Sequence, residues 1–207
     1  MYTPSSFKED NPDVLFDLIK EHNFGIIFSQ HENQPEATHL PFLVHPEKGK
    51  HGTLIAHFAK ANKHWKKLDE AKDVLVVFQG PHSYISPAWY VNRAEVPTWN
   101  YATVHVFGKP KIIEDPVELN KMVKELTHFH ENQENTGWKL SEVPKKEYNT
   151  DLKAIVGLEI VIKKMEGKFK FNQNKSVKDQ KSVIAKMDDS GRKDISAIMK
   201  RNIDLSK

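Results

Sequence analysis

Residues 98–107 alternate strictly between two kinds of side chain, and this alternation constrains the fold more than any other part of the sequence. The two alternating sets are Trp99, Tyr101, Thr103, His105 and Phe107 against Asn100, Ala102, Val104 and Val106. Because successive side chains of a strand point to opposite faces, the pattern predicts a half-buried β-strand. Other strand-length segments flank it and are joined by hairpin-type turns such as residues 45–49, so an antiparallel sheet is expected.

Helix start signals separate the predicted strands. Asn11-Pro12-Asp13 and Asp115-Pro116 each combine a capping residue with a proline at the first helical position. Residues 176–187 and 194–199 are predicted to close the chain as helices. Peripheral helices around hairpin-connected strands are typical of an α+β fold with an antiparallel sheet or barrel, and not of a doubly wound parallel sheet.

Two further turns and a domain boundary are predicted. Gly80-Pro81 and Met165-Glu166-Gly167 are interpreted as turns, the second joining two strands of a hairpin. Pro41 interrupts the strand predicted over residues 37–44, which requires an edge, a bulge or a break. We assign residues 1–172 to the main domain and residues 173–207 to a basic, helical C-terminal extension packed on it.

The apolar members of the strands predict the core. At eight strand positions the sequence pattern indicates which face of the strand the side chain lies on: Ile26, Phe28, Leu54, Val74, Val76, Val104, Val156 and Ile160. All eight side chains are expected to point inward.

The composition excludes several classes of protein. The 207 residues include no cysteine, so disulfides, zinc–thiolate sites, iron–sulfur clusters and thiol nucleophiles are absent. No run of about 18 apolar residues is present, and no membrane-spanning helix is therefore expected. The first ten residues lack the apolar segment of a secretory signal. Together these observations predict a cytoplasmic protein that does not enter a membrane.

Positive charge is concentrated toward the C-terminal end. From Lys163 onward, 13 lysines and arginines face 6 aspartates and glutamates, although the whole chain has a net charge of only +3. A basic segment on a mildly acidic body favours an anionic partner such as DNA, while a solvated helical surface would have the same composition. Only three of the basic residues are arginines, so any DNA contact is expected at the backbone rather than at the bases.

One segment has the composition of an anion site. Lys60, Asn62 and Lys63 follow a predicted strand and begin a short predicted helix. Free amide groups at a helix start and two ammonium groups attract an anion, and an ordinary basic corner is the alternative interpretation. The chain has no Gly-rich phosphate loop and no nucleophile elbow, so a bound phosphate would depend on such a corner.

Aromatic and histidine residues suggest further chemistry. The pairs Trp89-Tyr90 and Trp99 with Tyr101 lie close in sequence. Such pairs usually fill a core or an interface, and they can also flank a planar heterocycle. The eleven histidines include no pair at a metal-ligand spacing, so we assign no metal site and no catalytic residue.

Several motifs together resemble one protein family. They are Met1-Tyr2-Thr3-Pro4, His39-Leu40-Pro41-Phe42, residues 56–65, residues 80–90, Val96-Pro97-Thr98-Trp99-Asn100-Tyr101, Ile155-Val156-Gly157 and, after Lys168, Gln173-Asn174. On these motifs the chain is identified as a member of the PaiB family of FMN-binding negative transcriptional regulators. The resemblance extends from Met1 to about Met187.

The resemblance implies a fold and a cofactor site. The fold is an antiparallel split β-barrel, similar to those of flavin reductases and pyridoxamine-phosphate oxidases, in a homodimer with FMN sites between the subunits. The residues expected to bind FMN are His39, Lys60, Asn62 and Lys63, carried over by position, together with Trp99, Asn100 and Tyr101. The first four would hold the phosphate, and the last three would meet the flavin ring from the other subunit.

The resemblance also implies a function in gene regulation. We interpret the chain as a dimeric negative regulator of sporulation and protease genes that binds FMN, with DNA contacted through the basic C-terminal region. A flavin- or haem-dependent oxidoreductase on the same fold is the alternative, because a flavin carries redox chemistry without an acid–base motif in the protein. A dimeric scaffold without a cofactor is a third interpretation.

Overall fold

The computed structural model describes residues 1–68 and 73–205. Within them the strands are β1 (Lys8–Glu9), β2 (Phe24–His31), β3 (Gln34–Pro41), β4 (Leu43–His45), β5 (Thr53–Ala59), β6 (Val74–Ile85), β7 (Thr98–Ile113) and β8 (Ile155–Lys170). The α-helices are α1 (Pro12–Glu21), α2 (His64–Leu68), α3 (Pro116–Glu134), α4 (Lys145–Lys153), α5 (Val177–Asp189) and α6 (Lys193–Leu205).

The strands form one antiparallel sheet. Their order is β3-β2-β6-β7-β8-β5-β4, and β1 pairs with β8 outside this path. The hairpin of β2 and β3 places Phe24 opposite Pro41, and β2 also pairs antiparallel with β6. At the opposite end of the strand order, β5 pairs antiparallel with both β4 and β8. The predicted α+β class with an antiparallel sheet is confirmed.

The chain divides into two compact units. The first unit contains Met1–Leu18, Gln79–Val104 and Glu166–Lys207, and the second contains Ile19–Phe78 and His105–Met165. The strands β6, β7 and β8 contribute residues to both units. The domain boundary at residue 172 stays a prediction.

The second unit has its core around the β5–β8 pair. Leu54 lies opposite Ile160 in this pair, and both side chains are completely buried. The neighbouring residue Ile55 points to the other face of the sheet, where it joins Met122 and Leu126 of α3 in a buried apolar cluster. The helix α3 begins as predicted, because the Asp115 carboxylate accepts hydrogen bonds from the first free amides of the helix at 2.9 and 3.0 Å.

The first unit ends in two consecutive helices in contact with each other, α5 and α6, which together with the turn between them we call the C-terminal hairpin (residues 177–205). Ser176 caps α5 by accepting a hydrogen bond from the amide of Asp179 at 3.1 Å. The apolar side chains of the hairpin are buried: Val183, Ile184, Met187, Ile195, Met199 and Ile203. Both predicted C-terminal helices are confirmed, and the second extends further than predicted.

Two predicted turns are wrong, because each glycine allows close packing inside a long strand. Gly80 lies within β6, and a Cβ atom there would approach Leu18 Cδ1 to 3.0 Å and Ala102 Cβ to 3.2 Å. Gly167 lies within β8, where a Cβ atom would come within 2.7 Å of the Glu9 carbonyl oxygen. The continuous strand β8 therefore replaces the predicted hairpin.

The core prediction holds except on β2. Six of the eight predicted residues are buried, but Ile26 is half-buried and Phe28 is 36% exposed. The inward residue of β2 is Ile27, which is completely buried. Because β2 carries apolar residues on both faces, its sequence does not define which set points inward. The edge, bulge or break expected at Pro41 is found as a break on an edge strand, since Pro41 ends β3 and β4 begins at Leu43.

Candidate functional site

The predicted basic corner lies in the second unit, where β5 leads into α2. The side chains of Lys60 and Lys63 are exposed, and neither ammonium group pairs with a carboxylate among the described residues. The helix α2 is only five residues long, so its dipole adds little to the attraction for an anion. The exposed ammonium groups of the two lysines are therefore the main source of positive charge at the corner.

Asn62 belongs to the same corner, but its side chain points into the protein. Its Oδ1 accepts a hydrogen bond from the backbone amide of His64 at 3.0 Å. Its Nδ2 donates to Thr38 Oγ1 at 3.3 Å. These two bonds cap α2 and fasten it to β3, so Asn62 orders the corner that carries the lysines.

His64 lies completely buried at the start of α2, between two hydroxyl groups. Its Nε2 is 2.8 Å from Ser29 Oγ, and its Nδ1 is 2.8 Å from Thr38 Oγ1. Burial lowers the pKa of His64, and a smaller upward effect of Glu36 opposes this lowering. The imidazole is therefore held neutral, with one ring nitrogen donating and the other accepting.

The free energy of unfolding should depend on pH through this histidine. Because the folded protein binds the proton more weakly than the unfolded chain does, stability should be full above about pH 6.5 and fall as the pH drops toward the lower folded pKa. Burial lowers the pKa of His57 as well, which acts in the same direction. We expect His64→Gln to flatten the dependence in urea unfolding between about pH 8 and 5.

The exposed His51 supplies the matched control for this measurement. His51→Gln should retain the pH dependence of the wild-type protein. A slope in His64→Gln as steep as that of the wild type would contradict the assignment.

His39 is not brought to the basic corner. It follows Thr38 on β3, and neighbouring residues of a strand point to opposite faces. Thr38 contacts Asn62 and His64, whereas the exposed His39 ring stacks on Phe24 with a centroid distance of 6.1 Å. A role for His39 in FMN binding stays a prediction.

Trp99 and Tyr101 lie in the first unit, on the solvent-facing side of β7. Trp99 is 53% exposed, and its ring centroid lies 6.0 Å from that of Tyr84 and 6.4 Å from that of His82. We call His82, Tyr84, Trp99 and Tyr101 the aromatic face. Exposed rings on neighbouring strands can pack against a planar heterocycle. His82 and Tyr84 were not predicted, because the supposed turn at Gly80-Pro81 hid the continuation of β6.

Two lysines of β8 border the aromatic face. Lys168 Nζ lies 5.4 Å from the ring centroid of Tyr101 and 5.6 Å from that of Tyr2. Lys170 donates to the Thr98 hydroxyl, and its pKa is lowered by burial and then by the charge of Lys168. The border of the face is therefore positively charged, which favours electron-rich or anionic ligands.

Asn100 points away from the aromatic face. It is completely buried, and its Nδ2 donates to Asn172 Oδ1 at 2.5 Å and approaches Met199 Sδ at 3.6 Å. Its Oδ1 has no hydrogen-bond partner among the described residues. The alternation of β7 thus places Trp99 and Tyr101 together and turns Asn100 to the opposite side. A contact between Asn100 and FMN stays a prediction.

A large cavity of the second unit lies apart from the basic corner. It has a volume of about 1470 Å³ and is lined by α3, α4 and the segment between them, including Trp138 and Tyr148. None of the predicted site residues lines it. A smaller cavity of about 360 Å³ is lined in part by Trp65 and Lys66, which follow the corner directly in sequence.

Metal-ligand clusters and membrane-spanning helices are both absent from residues 1–68 and 73–205. No group of three or more histidine, cysteine, aspartate or glutamate side chains there is arranged to hold a metal ion. In the same residues, no helix is both long enough and apolar enough to cross a membrane.

The basic corner and the aromatic face each have the chemistry that one part of FMN requires. A phosphate monoester carries nearly two negative charges at neutral pH, and the ammonium groups of Lys60 and Lys63 are exposed to receive them. The flavin ring is planar, and the exposed ring of Trp99 offers a surface on which it can stack. The residues present are therefore suited to this cofactor.

Comparison with known proteins agrees with this chemistry. Residues 1–164 match the family described as "Putative FMN-binding domain". The chain is 35% identical over 188 residues to the Bacillus subtilis protein named "Protease synthase and sporulation protein PAI 2", with 90% of this chain and 89% of that protein covered. An uncharacterized protein of Emericella nidulans is 30% identical over 230 residues, which cover 92% of each chain.

A solved structure extends the comparison to the fold. The FAD and heme binding protein from Mycobacterium smegmatis superimposes with a TM-score of 0.60 at 15% identity, covering 86% of this chain and 79% of that one. This likeness concerns the fold alone, and the predicted split barrel is confirmed. The family match confirms a flavin as the cofactor. The chain belongs to the PaiB family of proteins with an FMN-binding domain.

Proposed function

We propose that the protein is a dimeric, cytoplasmic, FMN-binding negative regulator of genes for sporulation and proteases. The name of its Bacillus subtilis relative, which refers to protease synthesis and sporulation, supports the regulatory role. The observation that carries the proposal is the pair of exposed lysines, Lys60 and Lys63, in a chain whose family is described by FMN binding. Occupancy by FMN is the signal that such a regulator senses.

In this proposal the FMN phosphate binds to the ammonium groups of Lys60 and Lys63. Asn62 keeps the corner ordered through its bonds to Thr38 and His64. The flavin ring stacks on the aromatic face of the second copy in the dimer. Bound FMN supplies a ring that accepts and releases electrons, whereas the protein binds and orients the cofactor.

An absorption spectrum of the protein purified from its own host tests this proposal. We expect the two visible bands of an oxidised flavin and a supernatant that contains FMN after denaturation. A protein without flavin bands that also fails to take up added FMN would contradict the proposal.

The homodimer has its own support and test. Trp99 and Tyr84 are exposed apolar groups on neighbouring strands, as expected for part of an interface. Tyr90 is only 3% exposed, so the two predicted aromatic pairs do not form one contact surface. Light scattering at micromolar concentration should give about twice the chain mass of 23.9 kDa. A mass of one chain would contradict the dimer.

Contact with DNA is proposed through the C-terminal hairpin. Exposed cations of the hairpin without a carboxylate partner among the described residues are Lys178, Lys181 and Arg201. Because lysines neutralise phosphates and release counterions, binding in a gel-shift assay should weaken steeply as salt rises. Binding that is insensitive to salt, or no binding at low salt, would contradict this contact.

The alternative function is a flavin- or haem-dependent oxidoreductase. It is favoured by one observation, the similarity of fold to a protein described as binding both FAD and haem. The same absorption spectrum separates the two functions in part, because a haem gives an intense Soret band that FMN does not. A Soret band in the purified protein would favour the oxidoreductase.

A further inference from the structure

On each strand of the aromatic face, the residue between the two aromatic residues points to the opposite, buried side of the strand. One residue lies between the two members of the face on each strand, Ser83 on β6 and Asn100 on β7. Ser83 is 3% exposed and Asn100 is completely buried. Because neighbouring strand residues point to opposite sides, Ser83 and Asn100 support the aromatic face from behind.

Both supporting residues are bound by the C-terminal part of the chain. The Arg192 guanidinium, in the turn between α5 and α6, donates to Ser83 Oγ. Asn100 Nδ2 donates to Asn172 Oδ1 at 2.5 Å and approaches Met199 Sδ of α6 at 3.6 Å. The Asn172 side chain also donates to Tyr90 Oη at 2.6 Å. Each strand of the face is therefore fastened from behind by a separate contact.

The loop that joins β6 to β7 is held by the same hairpin. The Asp179 carboxylate accepts hydrogen bonds from the backbone amides of Val91 and Asn92 at 2.9 and 3.1 Å. Hydrogen bonds from Ser176 and from Asn92 lower the pKa of Asp179, so the carboxylate stays charged at neutral pH. Ser182 donates to the carbonyl oxygen of Trp89 at 2.6 Å. The hairpin thus holds both strands and the loop between them.

We propose that Arg192, Asp179 and Asn172 are positioning residues through which the C-terminal hairpin and the segment just before it hold the aromatic face in its ligand-binding arrangement. This proposal depends on the proposed function in one respect, namely that the flavin ring is the ligand of the aromatic face. The hairpin lies outside residues 1–164, which match the FMN-binding family. The family match therefore assigns no role to these three residues.

The positioning has a consequence for regulation. When a ligand at one site changes the affinity of a second site, the second ligand changes the affinity of the first site by the same factor. The hairpin carries exposed cations on its solvent side, among them Lys178, Lys181 and Arg201. An anionic partner bound to these cations and a ring bound to the aromatic face would be coupled through α5 and α6.

Hydrogen exchange of the ligand-free protein tests the positioning directly. The variants are Arg192→Met, which removes the donor to Ser83, and Asp179→Asn, which removes the charge that holds the loop. The matched controls are Lys186→Met and Asp189→Asn, exposed residues of α5 in the same hairpin. In the two variants, amides of residues 82–84 and 98–101 should exchange about 5-fold faster or more, while residues 53–59 of β5 and both controls are unchanged.

Flavin binding supplies the second readout. Riboflavin lacks the phosphate and therefore reports on ring binding alone. Arg192→Met and Asp179→Asn should weaken riboflavin and FMN by the same factor, about 5- to 150-fold. If FMN binding were weakened much more than riboflavin binding, the variants would have damaged the basic corner instead. That result would count against the proposal.

Each outcome decides between the inferences. Unchanged exchange at residues 82–84 and 98–101 in folded variants overturns the positioning, whether or not the protein binds a flavin. Wild-type protein that binds neither riboflavin nor FMN contradicts the proposed function, and the exchange data still decide on the positioning. Should Arg192→Met fail to fold, Arg192→Lys keeps the charge but lacks the guanidinium fork. The same exchange comparison then applies to it.

Discussion

Replacing both Lys60 and Lys63 with alanine is expected to abolish measurable FMN binding. A charge-assisted hydrogen bond to a phosphate contributes roughly 1.5–3 kcal/mol, so each single substitution should weaken FMN about 10- to 150-fold. The double variant should lose approximately the product of the two factors. The measurement is a fluorescence titration of ligand-free protein with FMN and, in parallel, with riboflavin.

The two ligands separate a direct role of the lysines from an indirect one. Riboflavin affinity should be nearly unchanged in both single variants, because riboflavin has no phosphate for the lysines to bind. Lys121→Ala, which removes an exposed lysine of α3, is the matched control and should bind both ligands like the wild type. Equal losses for FMN and riboflavin would show that the lysines act through folding.

Truncating Ile160 to alanine should cause a large loss of stability. Its side chain is completely buried opposite Leu54, and removing buried methyl groups leaves a cavity that the surrounding strands cannot fill. We expect a decrease of roughly 2–5 kcal/mol in the free energy of unfolding, measured by urea denaturation.

The neighbouring residue provides the control. Val161 lies on the same strand but is 45% exposed, so Val161→Ala should cost less than about 1 kcal/mol. Comparable losses at the two positions would contradict the assignment of the two faces of β8.

The faces of the strands could be predicted where only one face is apolar. On β7 the alternation places Val104, a predicted core residue, on the side opposite Trp99, and in the structure Val104 is buried and Trp99 exposed. On β2 the sequence places Ile26, Ile27 and Phe28 in succession, so periodicity alone does not select the inward set. Local alternation is informative when the environments of the two faces differ, and it is uninformative otherwise.

Two glycines and one helix could not be interpreted correctly from the sequence alone. The segments that contain Gly80 and Gly167 have the residue types of turns. In the structure, each glycine instead permits the close approach of a neighbouring side chain or backbone inside a strand. The helix α4 was not predicted, because none of its residues is buried and it has no apolar stripe to recognise. Such distinctions depend on contacts between distant parts of the chain.

The candidate site was predictable in its chemistry and less so in its arrangement. The sequence identifies Lys60 and Lys63 as exposed cations beside a capped helix, and both are exposed in the structure. It does not indicate that Asn62 turns inward to Thr38, or that His64 is buried between two hydroxyl groups. Those contacts join β2, β3 and α2, which are separate in the sequence.

A titration of ligand-free wild-type protein with FMN and with riboflavin tests the central claim most directly. If the basic corner binds the phosphate, FMN should bind at least about 100-fold more tightly than riboflavin, because two charge-assisted bonds are available to it alone. Equal affinities for the two ligands, or no binding of FMN at about 50 μM, would contradict the claim.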